Sequence, residues 1–408
     1  MLKRYGMASY LMGATAARTG DEMSGPALLL VGLSVTGSPA AASALLSGIT
    51  VSAAVGGPVF GAMLDRAARP GRLLAGALAA YCLALLVILL SLGRLPLPFV
   101  LATAVCGGLL GPALAGGWTS QVPRVAAPEG LPRANALDAL TYNFASLAGP
   151  ALAGAVAMVS GASASVVVSL ALIALALPTA WTLPRNPKAA PRGASRPVVA
   201  DLASGFRAIG RTRPLARATL TSVLSYVGVG MLVACAPLLG EQALGTTGSG
   251  TFLLATLAAA SLAANALLAR RPGLLRPDAT ILGSTLALTV ALLLAATVSP
   301  VALFVAMAVA GAGTGPQLTA LFAVRHREAP ERLRGQIFTT GASLKITGFA
   351  IGAGIGGPIA TCSLSGSLVT AAVFEVLAAL AFWVLSTTPT HPQKGHTHHP
   401  AQATRTSP

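Results

Sequence analysis

Ala127-Pro128-Glu129-Gly130-Leu131-Pro132-Arg133 and Ala329-Pro330-Glu331-Arg332-Leu333-Arg334 are two versions of one short phrase, 202 positions apart. A long apolar run follows each. Working outward, Gly111-Pro112 precedes the first copy and Gly315-Pro316 the second, at a spacing of 204; Gly149-Pro150 and Gly357-Pro358 follow them at 208. One such pair would carry no weight, because Gly and Pro are common in membrane helices. Three markers in one order at nearly one offset indicate an internal duplication.

The duplicated material is apolar. Of 408 residues, 54% are apolar and 9% charged, whereas a soluble domain carries roughly a quarter charged residues. Runs long enough to cross about 30 Å of hydrocarbon recur throughout. They predict helices at 7–34, 39–62, 73–92, 97–119, 135–158, 162–183, 217–240, 248–269, 279–297, 300–323, 336–360 and 366–387. The expected fold is all-α and membrane-embedded, with two pseudo-symmetric six-helix bundles at 1–183 and 217–387. A Pro-, Arg- and Ala-rich linker, 184–216, joins them, and a polar tail expected to be disordered, 388–408, follows. Within the linker, Asp201–Ile209 reads as a solvated stretch or as a short amphipathic helix on an anionic leaflet.

A net charge of +16 would suit nucleic acid, but the basic residues alternate between connectors. Lys3 and Arg4; Arg66, Arg69 and Arg72; Arg124 and Arg133; Arg185 through Arg217; Arg270, Arg271 and Arg276; Arg325, Arg327, Arg332 and Arg334; and Lys394 and Arg405 fall on one side. Arg94 alone falls on the other. By the positive-inside rule both termini are expected in the cytoplasm, in a bacterial inner membrane, with no nucleic-acid partner. A cleaved signal ending near Ala14, Ala16 and Ala17 would leave eleven spans and contradict that pattern. Cys82, Cys106, Cys235 and Cys362 have no paired spacing and read as packing residues, with no metal site or disulfide.

Six helices, a basic linker and six more in parallel halves resemble the major facilitator superfamily. In that family the second and third helices are joined by Gly-x-x-x-Asp-Arg-x-Gly-Arg; Gly61, Asp65, Arg66 and Arg69 match it, while Ala68 replaces a glycine and Pro70 a basic residue. The resemblance implies a latch, in which Asp65 and nearby arginines make charge-assisted bonds between halves. Alternatively Arg66, Arg69 and Arg72 only set topology. Arg270 and Arg271 hold the equivalent loop of the second half without an acidic partner.

Ala148-Gly149-Pro150-Ala151-Leu152-Ala153-Gly154 is similar to the Gly-Pro-x-x-x-Gly motif of proton-driven drug exporters, and Arg133-Ala134-Asn135-Ala136-Leu137 resembles the macrolide-efflux branch. The resemblance implies export of a small amphiphilic molecule by proton antiport. Pro150 removes one backbone bond, and Gly149 and Gly154 permit close helix contact, about 22 Å along the fifth helix at 1.5 Å per residue. These residues read as a gating bend or as an ordinary packing kink.

Charges inside spans cost about 2.5–3.5 kcal/mol even on insertion scales, so they point to function. Arg18, Asp21 and Glu22 lie at i, i+3 and i+4 on one helical face. Two carboxylates beside one guanidinium leave an excess negative charge suited to loading a proton, and Gly20-Asp21 matches the exporter branch. The alternative is a structural ion pair. Lys345 and Glu375 either pair with each other, or Lys345 faces the cavity, where it binds an anion or displaces a proton. Asp138, Tyr142, Asn143, Tyr226 and Gln317 are candidate cavity-lining groups.

No Asp-rich diphosphate motif, metal-ligand pair, nucleophile elbow or Walker loop is present, so the sequence reads as neither an enzyme nor an ATP-driven pump and calls for no cofactor. His391, His396, His398 and His399 form a loose tail that reads as disorder or as a weak metal binder. The expected partners are a small-molecule substrate, protons and the lipid bilayer, with the chain acting as a monomer. Proton-coupled uptake and a transport-inactive scaffold are the other readings.

Overall fold

A backbone solvated by lipid must satisfy its N–H and C=O groups within each segment, and helices do so. The computed structural model describes residues 6–186, 198–245 and 249–387, and no strand occurs among them. Lys3, Arg4, part of the linker, Lys394, Arg405 and the four tail histidines lie outside the described residues.

The first half contains α1 (Met7–Thr36), α2 (Pro39–Val51), α3 (Ala53–Arg66), α4 (Pro70–Ser91), α5 (Leu97–Gly108), a π-helical turn (Ala113–Gly117), α6 (Val122–Val125), α7 (Leu131–Ser160) and α8 (Ala162–Trp181). A linker helix, α9 (Val198–Arg211), leads to α10 (Arg213–Leu244), α11 (Gly250–Arg270), α12 (Pro277–Ala295), α13 (Pro300–Glu328), α14 (Arg334–Cys362) and α15 (Leu364–Thr387). Since α2 with α3, and α5 with the π-turn and α6, each make one crossing, the described residues form twelve crossings. Proline starts α2, α4, α12 and α13, where its missing N–H would lack a helical partner anyway.

The duplication reappears in the packing. In the first half α1 packs on α7 and α8; in the second, α10 packs on α14 and α15. Ten crossings are long and apolar enough to span a membrane alone. The exceptions are α1, interrupted by Arg18, Asp21 and Glu22, and α14, rich in Gly and Thr and carrying Lys345. Arg18 of α1 and Lys345 of α14 each find a polar partner on a neighbouring helix, Asp138 and Tyr226.

Two expectations are corrected. The part of the linker that forms α9 does not run free in solvent: Ile209 is buried among Leu215, Leu333 and Ile337, and the Gln336 side chain donates to the Leu202 carbonyl at 3.1 Å. α13 continues past the apolar run to Glu328, so Arg325 is a buried helical residue, 2% exposed, rather than part of a basic loop. A helix inside a bundle can remain helical after its lipid-facing run ends, because neighbouring helices satisfy the polar side chains.

Candidate functional site

The halves meet mainly at the end of the bundle that carries the basic loops. There α3 lies against α14, α7 against α11 and α13, and the π-turn against α14. Gly57, Gly61 and Gly116 make this approach possible: a Cβ on any of them would overlap Thr339, Gln336, Ser343 or Phe338. The Ser343 hydroxyl donates to the Ala53 carbonyl at 2.6 Å. Toward the opposite end, Gly154, Gly354 and Gly357 have open space where a Cβ would stand, and Met158 and Val159 are exposed. The cross-half contacts thus gather toward the basic end of the space between the halves, the central cleft.

Asp65 accepts from the backbone N–H groups of Gly335, at 2.6 Å, and Gln336, at 2.8 Å. These are orphan donors of the first turn of α14, at the positive end of its dipole. These two cross-half bonds of Asp65 therefore land on backbone N–H groups, while Arg66 and Arg69 have interactions of their own. Hydrogen bonds to a charged group contribute about 1.5–3 kcal/mol each, so Asp65→Asn is expected to loosen this end, and Gly61→Val to prop it apart. Distances between spin labels on α3 and α14 should lengthen in both variants; unchanged distances would contradict a clamp here.

Above the clamp lies a buried polar cluster. Arg18 does not pair with Asp21 or Glu22 as the spacing suggested. Its guanidinium turns to α7 and donates to Asp138 at 2.8 Å, to Thr119 at 2.9 Å and to the Thr141 hydroxyl. It also lies 3.7 Å from the Tyr142 ring centroid. Asp138 accepts from Tyr10 at 2.7 Å and Thr119 at 2.8 Å as well. It is 0% exposed, so it is an internal counter-ion and not a cavity-lining group. Tyr10, Thr119 and Thr141 went unremarked in the sequence because single Thr and Tyr residues in apolar helices carry no spacing signal.

Gln317 is likewise buried. It donates to Ser225 and Thr285, both at 3.2 Å, and Ser225 donates to Glu375 at 2.9 Å. Glu375 belongs to this second-half network and does not pair with Lys345. Lys345 instead donates to the Tyr226 hydroxyl at 3.0 Å and stands 5.9 Å from the ring centroid of Tyr142, a residue of the other half. Asn143, half-buried on α7, has its amide beside Gly315 of α13.

α1 carries two further candidate acids. Asp21 is half-buried and Glu22 exposed. The two carboxylates are close enough to repel each other, Tyr81 hydrogen-bonds to Asp21, and Glu22 lies within electrostatic range of Lys345. Gly149 brings α7 against α1 at the backbone of Glu22 and Met23. Gly154 has no such contact, and with Pro150, Leu30, Leu33 and Met158 it lines an open apolar groove. Among the described residues no group of three or more His, Cys, Asp or Glu is placed to hold a metal.

Twelve crossings in two related halves, joined at one end of a central cleft, are matched by a family profile: residues 10–344 fit the Major Facilitator Superfamily. The chain belongs to this superfamily. One relative in it, the uncharacterized MFS-type transporter y4rN of Sinorhizobium fredii (strain NBRC 101917 / NGR234), is 27% identical over 396 residues, spanning 92% of this chain and 94% of the relative. Among solved structures, the human organic anion transporter MFSD10 (TETRAN) superposes with a TM-score of 0.75 at 16% identity, over 94% of this chain and 100% of that one. A bacterial homologue of the iron transporter ferroportin in an outward-facing state gives 0.73 at 16% identity, over 94% and 99%. These likenesses show the fold. As a member of this superfamily the chain is a multi-pass membrane transporter, and its relatives are transporters too.

Proposed function

We propose that the protein is a proton-coupled exporter of a small amphiphilic molecule, working by alternating access between halves 1–183 and 217–387 across the linker 184–216. The observation that supports this is the adjacent pair Asp21 and Glu22 within the largely apolar α1, half-buried and exposed respectively, with Glu22 in electrostatic range of Lys345 of the other half. Two adjacent carboxylates near one ammonium leave a net negative charge in a space bounded by apolar walls, and such a group takes up and releases one proton as its surroundings change. Arg18 has no direct part in this exchange; it holds α1 to α7 through Asp138, so that both acids stay aimed at the cleft.

With the basic loops in the cytoplasm, the opposite end of the cleft opens outward, in a bacterial inner membrane with both termini inside. Asp65, with Arg66 and Arg69 close by, forms the inner gate. Gly149, Pro150 and Gly154 give α7 a pliant outer half that closes as the cleft inverts, and Tyr142, Asn143 and Tyr226 line the substrate path. Export follows from the α7 motif. A second reading, proton-coupled uptake, draws on Lys345: protonating Glu22 would free the ammonium for an anionic cargo, so that proton and cargo load together.

Everted membrane vesicles separate the two. An exporter accumulates its substrate when the vesicle interior is acid; an importer is emptied by the same gradient. Accumulation that ignores the gradient would refute proton coupling in either direction. A growth panel of structurally varied toxic compounds in a pump-deficient host supplies the substrate for this measurement.

A further inference from the structure

Two arginines are 2% exposed inside this bundle, and they are treated differently. Arg18 has a carboxylate and two hydroxyls. Arg325 of α13 has no acidic partner among the described residues, and its Nε and one Nη make no hydrogen bond. Its guanidinium carbon stands 5.9 Å from the Phe338 ring centroid, and the group rests on Gly341, where a side chain would overlap it. A buried cation without a counter-ion costs several kcal/mol, so this position calls for an anion that the chain itself does not provide.

The setting defines that anion. Phe322 lies 6.0 Å from Phe338 and 5.6 Å from Tyr142 between ring centroids, so an aromatic wall adjoins the guanidinium. Gly341 and Lys345 are at i and i+4 on α14, about 6 Å apart on one face, which places Arg325 about one turn from Lys345 toward the basic end. Lys345 has Glu22 within electrostatic range; Arg325 has no acid beside it among the described residues. The cover over Arg325 is a junction between halves: His326 Nε2 hydrogen-bonds to the Thr119 carbonyl at 3.1 Å, and Gly116 sits under the backbone of Phe338 and Thr339. Parting the halves at the basic end removes that cover.

We infer that Arg325 is the capture site for a small organic anion, a carboxylate on an aromatic or apolar body, that meets it when the basic end is open and loses it when that end closes. This rests on the alternating-access transport reading above and adds the substrate class and a sidedness to it. A guanidinium offers a carboxylate two parallel N–H donors, and the adjoining rings take the apolar body. In the conformation described here the site is closed off, so affinity for the anion is high on the basic side and low on the other. That asymmetry suits export from the cytoplasm.

The test uses the full chain in detergent, with 2-naphthoate as the anion and 2-naphthamide as its neutral isostere, and reads affinity from the shift in thermal unfolding. Naphthoate is expected to bind wild type more tightly than naphthamide by about tenfold to a hundredfold, the range of a charged hydrogen bond. Gly61→Val, which parts the basic end, should strengthen naphthoate binding. Arg325→Gln should erase the preference for the anion, while Arg325→Lys, which keeps the charge without the fork and guards against a folding defect, should retain a reduced preference. Equal binding of acid and amide by wild type, or an undiminished preference in Arg325→Gln, overturns the proposal. Glu22→Gln is measured alongside: if it abolishes gradient-driven transport but keeps anion preference, both readings stand. Anion preference with no proton coupling in wild type fails the coupling reading alone.

Discussion

Asp138→Ala is expected to destabilise the protein by about 3–5 kcal/mol, the cost of removing one partner from a buried ion pair. Arg18 would keep its charge at 2% exposure and lose its only carboxylate, and Tyr10 and Thr119 would each lose an acceptor. The apolar double variant Arg18→Met with Asp138→Leu is expected to recover most of that loss, because replacing a whole buried pair by apolar groups of similar volume is often neutral. Thermal unfolding of the purified protein, compared across wild type, single and double variants, measures both. Full stability in Asp138→Ala would mean that water or lipid reaches the site and that the cluster does not hold α1 to α7.

Glu22→Gln carries the second large effect. Uphill transport should fall by at least about a hundredfold, as expected when a positioned proton-transfer group is lost, whereas exchange of labelled for unlabelled substrate at equilibrium should continue. Exchange needs only the cleft to reorient with substrate bound; accumulation also needs a proton to load and leave. Asp21→Asn should act in the same sense but more weakly, since Asp21 is half-buried and held by Tyr81 while Glu22 is exposed within electrostatic range of Lys345. Loss of both exchange and accumulation in Glu22→Gln would instead make Glu22 part of the reorientation machinery or of substrate binding.

How much of this was legible in the sequence varies with the range of the interaction. Crossing number and pseudo-symmetry could be read because lipid imposes a length on every span and the duplication left its Gly-Pro and Ala-Pro-Glu markers at one offset. Side-chain partners could not. Arg18, Asp21 and Glu22 share a helical face by spacing, yet a guanidinium on a long stem reaches a neighbouring helix as easily as its own next turn, and the 120 positions separating Arg18 from Asp138 leave no local trace. Arg325 was hidden for a related reason: hydropathy marks where lipid contact ends, and α13 leaves lipid before it leaves the bundle. Gly61 and Asp65 were visible because a motif marked them, but their contact, the bare N–H groups at the start of α14, belongs to the backbone and has no residue signature at all.

The two crossings that are not apolar enough to stand alone in a membrane, α1 and α14, also bear on how the chain is made. A first helix interrupted by three charges, each costing about 2.5–3.5 kcal/mol to insert, should leave the translocation machinery slowly, or only once α7 has emerged to supply Asp138. α1 would thus wait without Asp138 through synthesis of the three crossings that separate it from α7. Asp138 would be needed for biogenesis before it is needed for stability, and its loss should show first as degraded nascent chains.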